Sequence, residues 1–212
     1  MKLKFTLLLL TFSMSLSFAQ YSWTKGELIL KNGTTLTGLI KLPTVSKDLI
    51  AFNGKEKVKF KTDKKAKAQK FEETQVNQIV FRNSDTETAI FEYIPISKKR
   101  TGIFKIITKG KATLYAKNVS VNNSSGPAYM GGVNGGTPMY YMYSYADFDE
   151  FYVLRENEEI ASPLITIRPS RSFRHRAKEY FADCTSVVLK LKNKDYRKED
   201  IKEMVEAYNN CQ

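Results

Sequence analysis

The sequence KGELILKNGTTLTGLIK, residues 25–41, decides the fold class of this chain. It places two strand-like runs, Lys25–Lys31 and Thr34–Lys41, on either side of Asn32-Gly33. Asn-Gly between such runs is the strongest short-range hairpin signal, and it predicts a type I′ turn, in which both central residues have positive φ. We therefore expect an antiparallel sheet that includes this hairpin.

Tight turns recur along the chain at Asn53-Gly54, Asn83-Ser84-Asp85 and Lys109-Gly110, each between strand-like runs. The runs that follow the first hairpin are Asp48–Phe52, Val58–Phe60, Val76–Arg82, Thr86–Ile94, Gly102–Thr108, Lys111–Val121, Tyr140–Tyr145 and Phe148–Leu154. About eight to ten short strands joined mostly by tight turns predict an antiparallel β-rich body, which is a meander, a sandwich or an open barrel.

Residues 122–139 interrupt this rhythm, because they contain five glycines and two prolines and show no periodicity. We predict a flexible Gly-rich loop at 122–139. The glycines match neither phosphate-binding pattern, so the loop does not indicate a nucleotide site.

After residue 168 the period of the apolar residues changes from two to that of a helix. Three helical stripes follow one another: Phe173, Ala177, Tyr180, Phe181 and Cys184; then Val187, Val188 and Leu191; then Ile201, Met204, Val205, Tyr208 and Cys211. Ser170 or Ser172 is the predicted N-cap of the first. The fold class is therefore α+β, with a small C-terminal helical segment at 169–212 packed on the β body.

Cys184 and Cys211 are the only two cysteines. Both lie on apolar helical stripes, and we predict that they form one disulfide, which contributes roughly 3.5 kcal/mol in the chain-entropy model. Two free thiols are the alternative.

Residues 1–19 have the three parts of a secretory signal. Lys2 and Lys4 precede the apolar run FTLLLLTF, and cleavage is predicted between Ala19 and Gln20. The signal is the first region of the chain, and residues 20–168 form one antiparallel β domain. We expect a periplasmic or extracellular protein that is not a lipoprotein, since no cysteine lies near the cleavage point. We also expect no transmembrane span in the mature chain.

The charge of the chain is strongly positive, with 34 Lys and Arg against 22 Asp and Glu. Removal of Lys2 and Lys4 with the signal lowers the formal net charge from +12 to +10. A single histidine argues against a Ser-His-Asp triad and a His-rich metal site, and we expect no cofactor and no metal. Export makes nucleic acid an unexpected partner.

Three short patterns suggest chemistry, but each has a plainer interpretation. Ser22-Trp23-Thr24-Lys25 matches S-x-x-K but precedes a strand, and its usual partner motifs are absent from the sequence. Asp147-Phe148-Asp149-Glu150 gathers three carboxylates, yet in a strand Glu150 points away from the other two. His175 lies among arginines and is expected on the surface.

The basic stretch at residues 55–70 holds eight lysines against Glu56 and Asp63. Lys55, Lys57, Lys59 and Lys61 alternate, so they share one face of a strand while Val58 and Phe60 face the core. One interpretation is that these lysines keep an edge strand from pairing with other chains. The other is an anion-binding face, which includes Lys64 and Lys65.

An aromatic ribbon follows the Gly-rich loop. Tyr141, Tyr143 and Tyr145 alternate onto one face of the predicted strand. Such a face can contact a sugar or a partner protein, and it can equally pack within a sheet.

Several of these segments together carry a resemblance to a family. They are Phe18-Ala19-Gln20, Gly26-Glu27-Leu28-Ile29-Leu30, Leu36-Thr37-Gly38-Leu39-Ile40, Gly110-Lys111-Ala112-Thr113-Leu114-Tyr115, Tyr180-Phe181-Ala182-Asp183-Cys184 and Tyr208-Asn209-Asn210-Cys211. The chain resembles uncharacterised exported proteins of the Bacteroidota. The resemblance implies an envelope location and a β-rich body, and it implies no activity. Thr185 stands where such proteins often have proline.

These patterns favour a non-enzymatic, exported cell-envelope protein that is a binding or structural module for an unknown envelope partner. The alternative is an accessory protein that binds an anionic polymer, such as a glycan, or a membrane surface through the lysine-rich strand. An enzyme of unrecognised type is the third hypothesis. The oligomeric state is not predicted.

Overall fold

The computed structural model describes residues 23–43, 56–82, 88–124, 143–166 and 170–211, and for residues 118–124 and 143–148 it describes the backbone alone. The predicted signal, its cleavage site at Ala19 and Gln20, the Asn53-Gly54 turn and Tyr141 lie outside these residues.

The described residues form ten strands and three helices. The strands are β1 (Thr24–Leu30), β2 (Thr35–Lys41), β3 (Val58–Lys61), β4 (Gln69–Phe71), β5 (Val76–Arg82), β6 (Thr88–Ser97), β7 (Arg100–Thr108), β8 (Ala112–Ser124), β9 (Tyr143–Arg155) and β10 (Ser162–Ile165). The helices are α1 (Phe173–Tyr180), α2 (Thr185–Asn193) and α3 (Ile201–Asn209). All assigned strand pairs are antiparallel, which confirms the predicted α+β class with its C-terminal helical segment.

The chain divides into two compact units. The first comprises residues 1–44 and 57–89, and the second comprises residues 45–56 and 90–212. The division falls inside the range 20–168 that the sequence assigned to one β domain.

In the first unit, the strand order is β5-β1-β2-β3-β4. Successive side chains along each strand point to opposite faces of the sheet, and one of these faces is buried. This face carries Leu28, Ile40, Val58, Phe60, Phe71 and Ile79, which are all almost completely buried. The opposite face of β1 to β4 carries all of their charged side chains, which are Lys25, Glu27, Lys41, Lys59, Lys61 and Lys70.

The turn between β1 and β2 differs from the predicted type I′ turn. Gly33 has φ +86°, but Asn32 does not have positive φ. The amide of Gly33 donates to the carbonyl of Leu30 (3.0 Å), and the amide of Leu30 donates to that of Thr34 (2.8 Å). This pattern is a three-residue loop that ends in one left-handed glycine. Asn32 stabilises the loop through its side chain, whose Oδ1 accepts from the amide of Thr34 (3.0 Å).

In the second unit, β6 to β10 pair in chain order and so form a meander. The longest pair joins β8 and β9, whose register runs from Ala112↔Arg155 to Ser124↔Tyr143. Two predictions are corrected here. Residues 122–124 belong to β8, not to the Gly-rich loop, and residues 143–154, which were predicted to fall in two strands, lie in one continuous strand.

The three helices pack against one face of β8, β9 and β10. Their buried residues share a core with Ala112, Leu114, Val153, Leu164 and Ile165 of β8, β9 and β10. The Ser172 side chain caps α1 by accepting a hydrogen bond from the amide of His175. Ser172 is one of the two N-cap residues that the sequence predicted. Among the described helices, none has the length and apolar character needed to cross a bilayer.

Candidate anion-binding surface

The predicted lysine strand is β3, and its alternation is confirmed. Val58 and Phe60 are buried, whereas Lys57 and Lys59 are exposed. Lys55 lies outside the described residues. The edge-strand interpretation of these lysines is wrong, because β3 pairs with β2 on one side and with β4 on the other. The strand at the end of the order is β4, which has only three residues.

The register of these strands aligns three lysines across the sheet. Lys41 of β2 is directly opposite Lys59 of β3, and Lys59 is directly opposite Lys70 of β4. Directly opposed residues point to the same face, with Cβ atoms about 4.5–5.5 Å apart. We call Lys41, Lys59 and Lys70 the lysine row. Among the described residues, none of the three has an ion-pair partner.

The lysines on either side of the row on β3 have partners. Lys57 forms an ion pair with Glu72. The ammonium of Lys61 lies 4.4 Å from the centre of the Trp23 ring and donates to the carbonyl of Lys64 at 3.1 Å. The four alternating lysines of the sequence are therefore not equivalent, because neighbouring groups already contact two of them.

Both acidic residues of the basic stretch, Glu56 and Asp63, make contacts that stabilise the fold. Asp63 accepts hydrogen bonds from the amides of Lys65 (2.8 Å) and Ala66 (3.0 Å) and shapes the turn after β3. These backbone hydrogen bonds, of which the one from the Lys65 amide has the largest effect, lower the pKa of Asp63 below its ordinary value. Lys64 and Lys65, the other predicted anion-binding residues, are exposed in this turn.

Glu56 belongs to the second unit, where it is part of a buried charge cluster. Its carboxylate lies 2.6 Å from the ammonium of Lys117 and accepts from the amide of Ile103 at 2.9 Å. Burial lowers the pKa of Lys117, and the negative charge of Glu56 opposes this shift. Glu150 is also buried, and the Tyr152 hydroxyl donates to it at 3.4 Å. Paired and hydrogen-bonded in this way, the cluster acts as a structural contact within the sheet.

Asp183 and Tyr208 of the C-terminal segment form a second charged network with Arg155, and this network attaches the helices to the sheet. Arg155 of β9 donates to the carbonyl of Tyr180 (2.5 Å) and to Asp183 (2.9 Å). The Tyr208 hydroxyl donates to the other oxygen of Asp183 at 2.8 Å. Burial alone would raise the pKa of Asp183, but the hydrogen bond from Tyr208 and the charges of Arg155 and Lys111 outweigh it and lower the pKa.

Asn209 completes this attachment. Its side-chain oxygen accepts from the amide of Ala112 at 2.8 Å, and its side-chain nitrogen donates to the carbonyl of Lys109 at 3.5 Å. Gly110 allows the close approach, since a Cβ there would lie 2.5 Å from the Asn209 side chain. We call Arg155, Asp183, Tyr208 and Asn209 the tail anchor.

The predicted disulfide is confirmed. Cys184 and Cys211 are bonded, with Cα atoms 6.1 Å apart. The bond links the N-cap residue of α2 to the second residue after the end of α3. The Tyr180-Phe181-Ala182-Asp183-Cys184 and Tyr208-Asn209-Asn210-Cys211 segments therefore have structural roles in core packing, the disulfide and the tail anchor.

The remaining candidate residues do not converge on a site. Tyr143 and Tyr145 share a face of β9, and the structure describes only their backbone. Asp149 is exposed and Glu150 buried, as alternation predicts. His175 is exposed, 3.7 Å from Glu179. Thr24 and Lys25 lie in a strand, as expected from the sequence. Within the described residues, no group of three His, Cys, Asp or Glu is placed to hold a metal ion.

Sequence reasoning missed two of the three residues of the lysine row. Lys41 and Lys70 are separated from Lys59 by 18 and 11 positions, and only the strand register makes them neighbours. For Lys41, the alternation of residues 35–41 was a signal, but the predicted two-residue turn would have placed Lys41 on the face opposite Lys25, and only the observed three-residue loop places them on the same face. For Lys70, no comparable signal exists, because its pairing depends on the shape of the turn after β3.

Comparison of the chain with known proteins finds no matching family model, no matching curated protein and no matching solved structure.

Proposed function

We propose that this chain is an exported, non-enzymatic binding module of the cell envelope that binds a polyanion through the lysine-bearing face of its first unit. The observation that carries the proposal is the lysine row. Its three ammonium groups share one face without an acidic partner among the described residues. Like charges directly opposed across strands destabilise a sheet, and a polyanion would relieve that repulsion.

The disulfide supports the export part of the proposal, because such bonds persist in oxidising compartments. The resemblance to exported proteins of the Bacteroidota agrees with a periplasmic or extracellular location. Intact-mass measurement of protein from its native cells tests this part. We expect the mature chain to begin at Gln20, and a mass that includes residues 1–19 would contradict it.

Retention of the mature protein on immobilised heparin across a salt series tests the binding part. We expect retention at low salt and a steep loss as salt rises, since exchange of bound counterions drives such association. The proposed function would be contradicted if the protein is not retained on heparin at low salt and also does not sediment with anionic vesicles.

A further inference from the structure

We infer that the ligand is a linear anionic polysaccharide that lies along the lysine row, across strands β2, β3 and β4, and not along β3. This inference rests on the proposed function and gives the ligand class and its direction on the sheet. The row is a line because its members come from three adjacent strands, which are about 4.8 Å apart.

The positive charge next to the row is limited on both sides. On one side, Lys57 is paired with Glu72. On the other side, the register places Leu39 between Lys25 and Lys61, and Lys61 already contacts Trp23. Within β2, β3 and β4, the lysines without partners therefore form a single row across the strands.

A row of this shape favours a linear polymer over a bilayer. A polymer with acidic groups at short intervals can place successive anions on Lys41, Lys59 and Lys70 without contacting Glu72. A planar anionic membrane contacts the whole face, on which the Lys57–Glu72 ion pair and Leu39 add no free positive charge, so much of the contact lacks charge complementarity. Sulfated or carboxylated sugar chains are the polymers with this chemistry that an exported protein meets.

The test compares two triple variants of the mature protein that remove the same charge from the same unit. One variant, Lys41→Gln, Lys59→Gln and Lys70→Gln, removes the row. The matched control, Lys64→Gln, Lys65→Gln and Lys67→Gln, removes three exposed lysines from the segment between β3 and β4. Thermal unfolding of both variants verifies that each is folded before binding is measured.

The binding probes are heparin oligosaccharides and vesicles of equal parts phosphatidylglycerol and phosphatidylcholine. We expect the row variant to lower the slope of log affinity against log salt on heparin by about two, because each neutralised charge on a flexible polyanion releases roughly 0.7 counterion. The control should lower it by less than half as much.

Equal losses for the two variants would overturn the inference, as would a row effect seen on vesicles and absent on heparin. Either result leaves the proposed function standing, because the unaltered protein still binds a polyanion. If the unaltered protein binds neither probe at low salt, the proposed function itself fails.

Discussion

The tail anchor and the lysine row both contain charged residues, but the charges are paired with opposite charges in the first and lie next to like charges in the second. In the tail anchor, Arg155 and Tyr208 both donate to the carboxylate of Asp183. In the lysine row, three like charges are directly opposed, without an acid between them in the described residues. The tail anchor therefore adds to stability, whereas the row subtracts from it.

This difference distinguishes charged residues that stabilise the fold from charged residues that we propose bind a ligand. Charged groups that stabilise the fold have partners with good geometry, and the motif residues of the C-terminal segment are of this kind. A set of like charges that costs stability is typical of a site where stability is exchanged for function. The predictions below test this contrast, beginning with the largest expected effect.

Replacing both cysteines, by Cys184→Ser with Cys211→Ser, should lower the free energy of unfolding by about 3 kcal/mol, because the unfolded chain is no longer cross-linked. Chemical denaturation followed by circular dichroism measures this. The reduced unaltered protein is the control and should match the variant. Labelling of both thiols by an alkylating reagent without prior reduction would show that the bond is absent.

Gly110→Ala should lower the free energy of unfolding by about 1–3 kcal/mol, since the new methyl group overlaps the Asn209 side chain and displaces it from the amide of Ala112. Thermal denaturation measures the effect. Combining it with Asn209→Ala should reduce the added cost, because the two nearest atoms, Cγ and Nδ2 at 2.5 Å, are gone and only the Cβ at 2.9 Å remains. Fully additive costs would show that the two residues act separately.

Asp183→Asn should cost about 1 kcal/mol near neutral pH, because the carboxylate is only half buried and its ion pairs are partly screened. The pKa of Asp183 is lowered in the folded protein. The contribution of the carboxylate is therefore complete above the unfolded pKa near 3.9 and is lost as the pH falls through the folded value.

Denaturation across a pH series checks this prediction. The stability difference between Asp183→Asn and the unaltered protein should be constant near pH 6 and should shrink below about pH 4. A difference that persists unchanged at acidic pH would assign the effect to packing and not to charge.

Lys59→Gln should have the smallest effect and the opposite sign, a stabilisation of about 0.2–1 kcal/mol, because it removes the central charge of the row. The gain should decrease as salt is added, since salt screens the repulsion. Lys67→Gln, which is exposed and outside the strands, is the matched control. A loss of stability in the Lys59 variant would remove the contrast between the row and the tail anchor.

The local features of the fold were predictable because they depend on residues near one another in sequence. Period-two runs marked most of the strands, helical stripes marked α1, α2 and α3, and the phase of those stripes brought Cys184 to Cys211. The Asn32-Gly33 hairpin was predicted correctly, but the predicted type I′ turn was wrong. The energetic difference between a two-residue and a three-residue loop depends on the twist of the flanking strands.

Features that depend on register were not predictable. The lysine row, the pairing of Lys57 with Glu72 and the burial of Lys117 against Glu56 each join residues that are distant in the sequence and meet only when the strands have paired. Lys117 in particular has nothing in its local sequence that distinguishes it from an exposed lysine. Composition predicted a basic face, whereas only the paired strands show the direction in which its unpartnered charges run.

The contacts of the C-terminal helices also have a consequence for the order of folding. The disulfide joins residues 27 positions apart, whereas the hydrogen bond from Ala112 to Asn209 closes a loop of 97. Short loops close with a smaller loss of chain entropy, and local contacts form faster. The helices can therefore assemble and oxidise as a unit before they reach the sheet. Oxidation restricts the conformations of this segment in the unfolded chain, so it also lowers the entropy cost of the long-range contacts that attach the helices to the sheet.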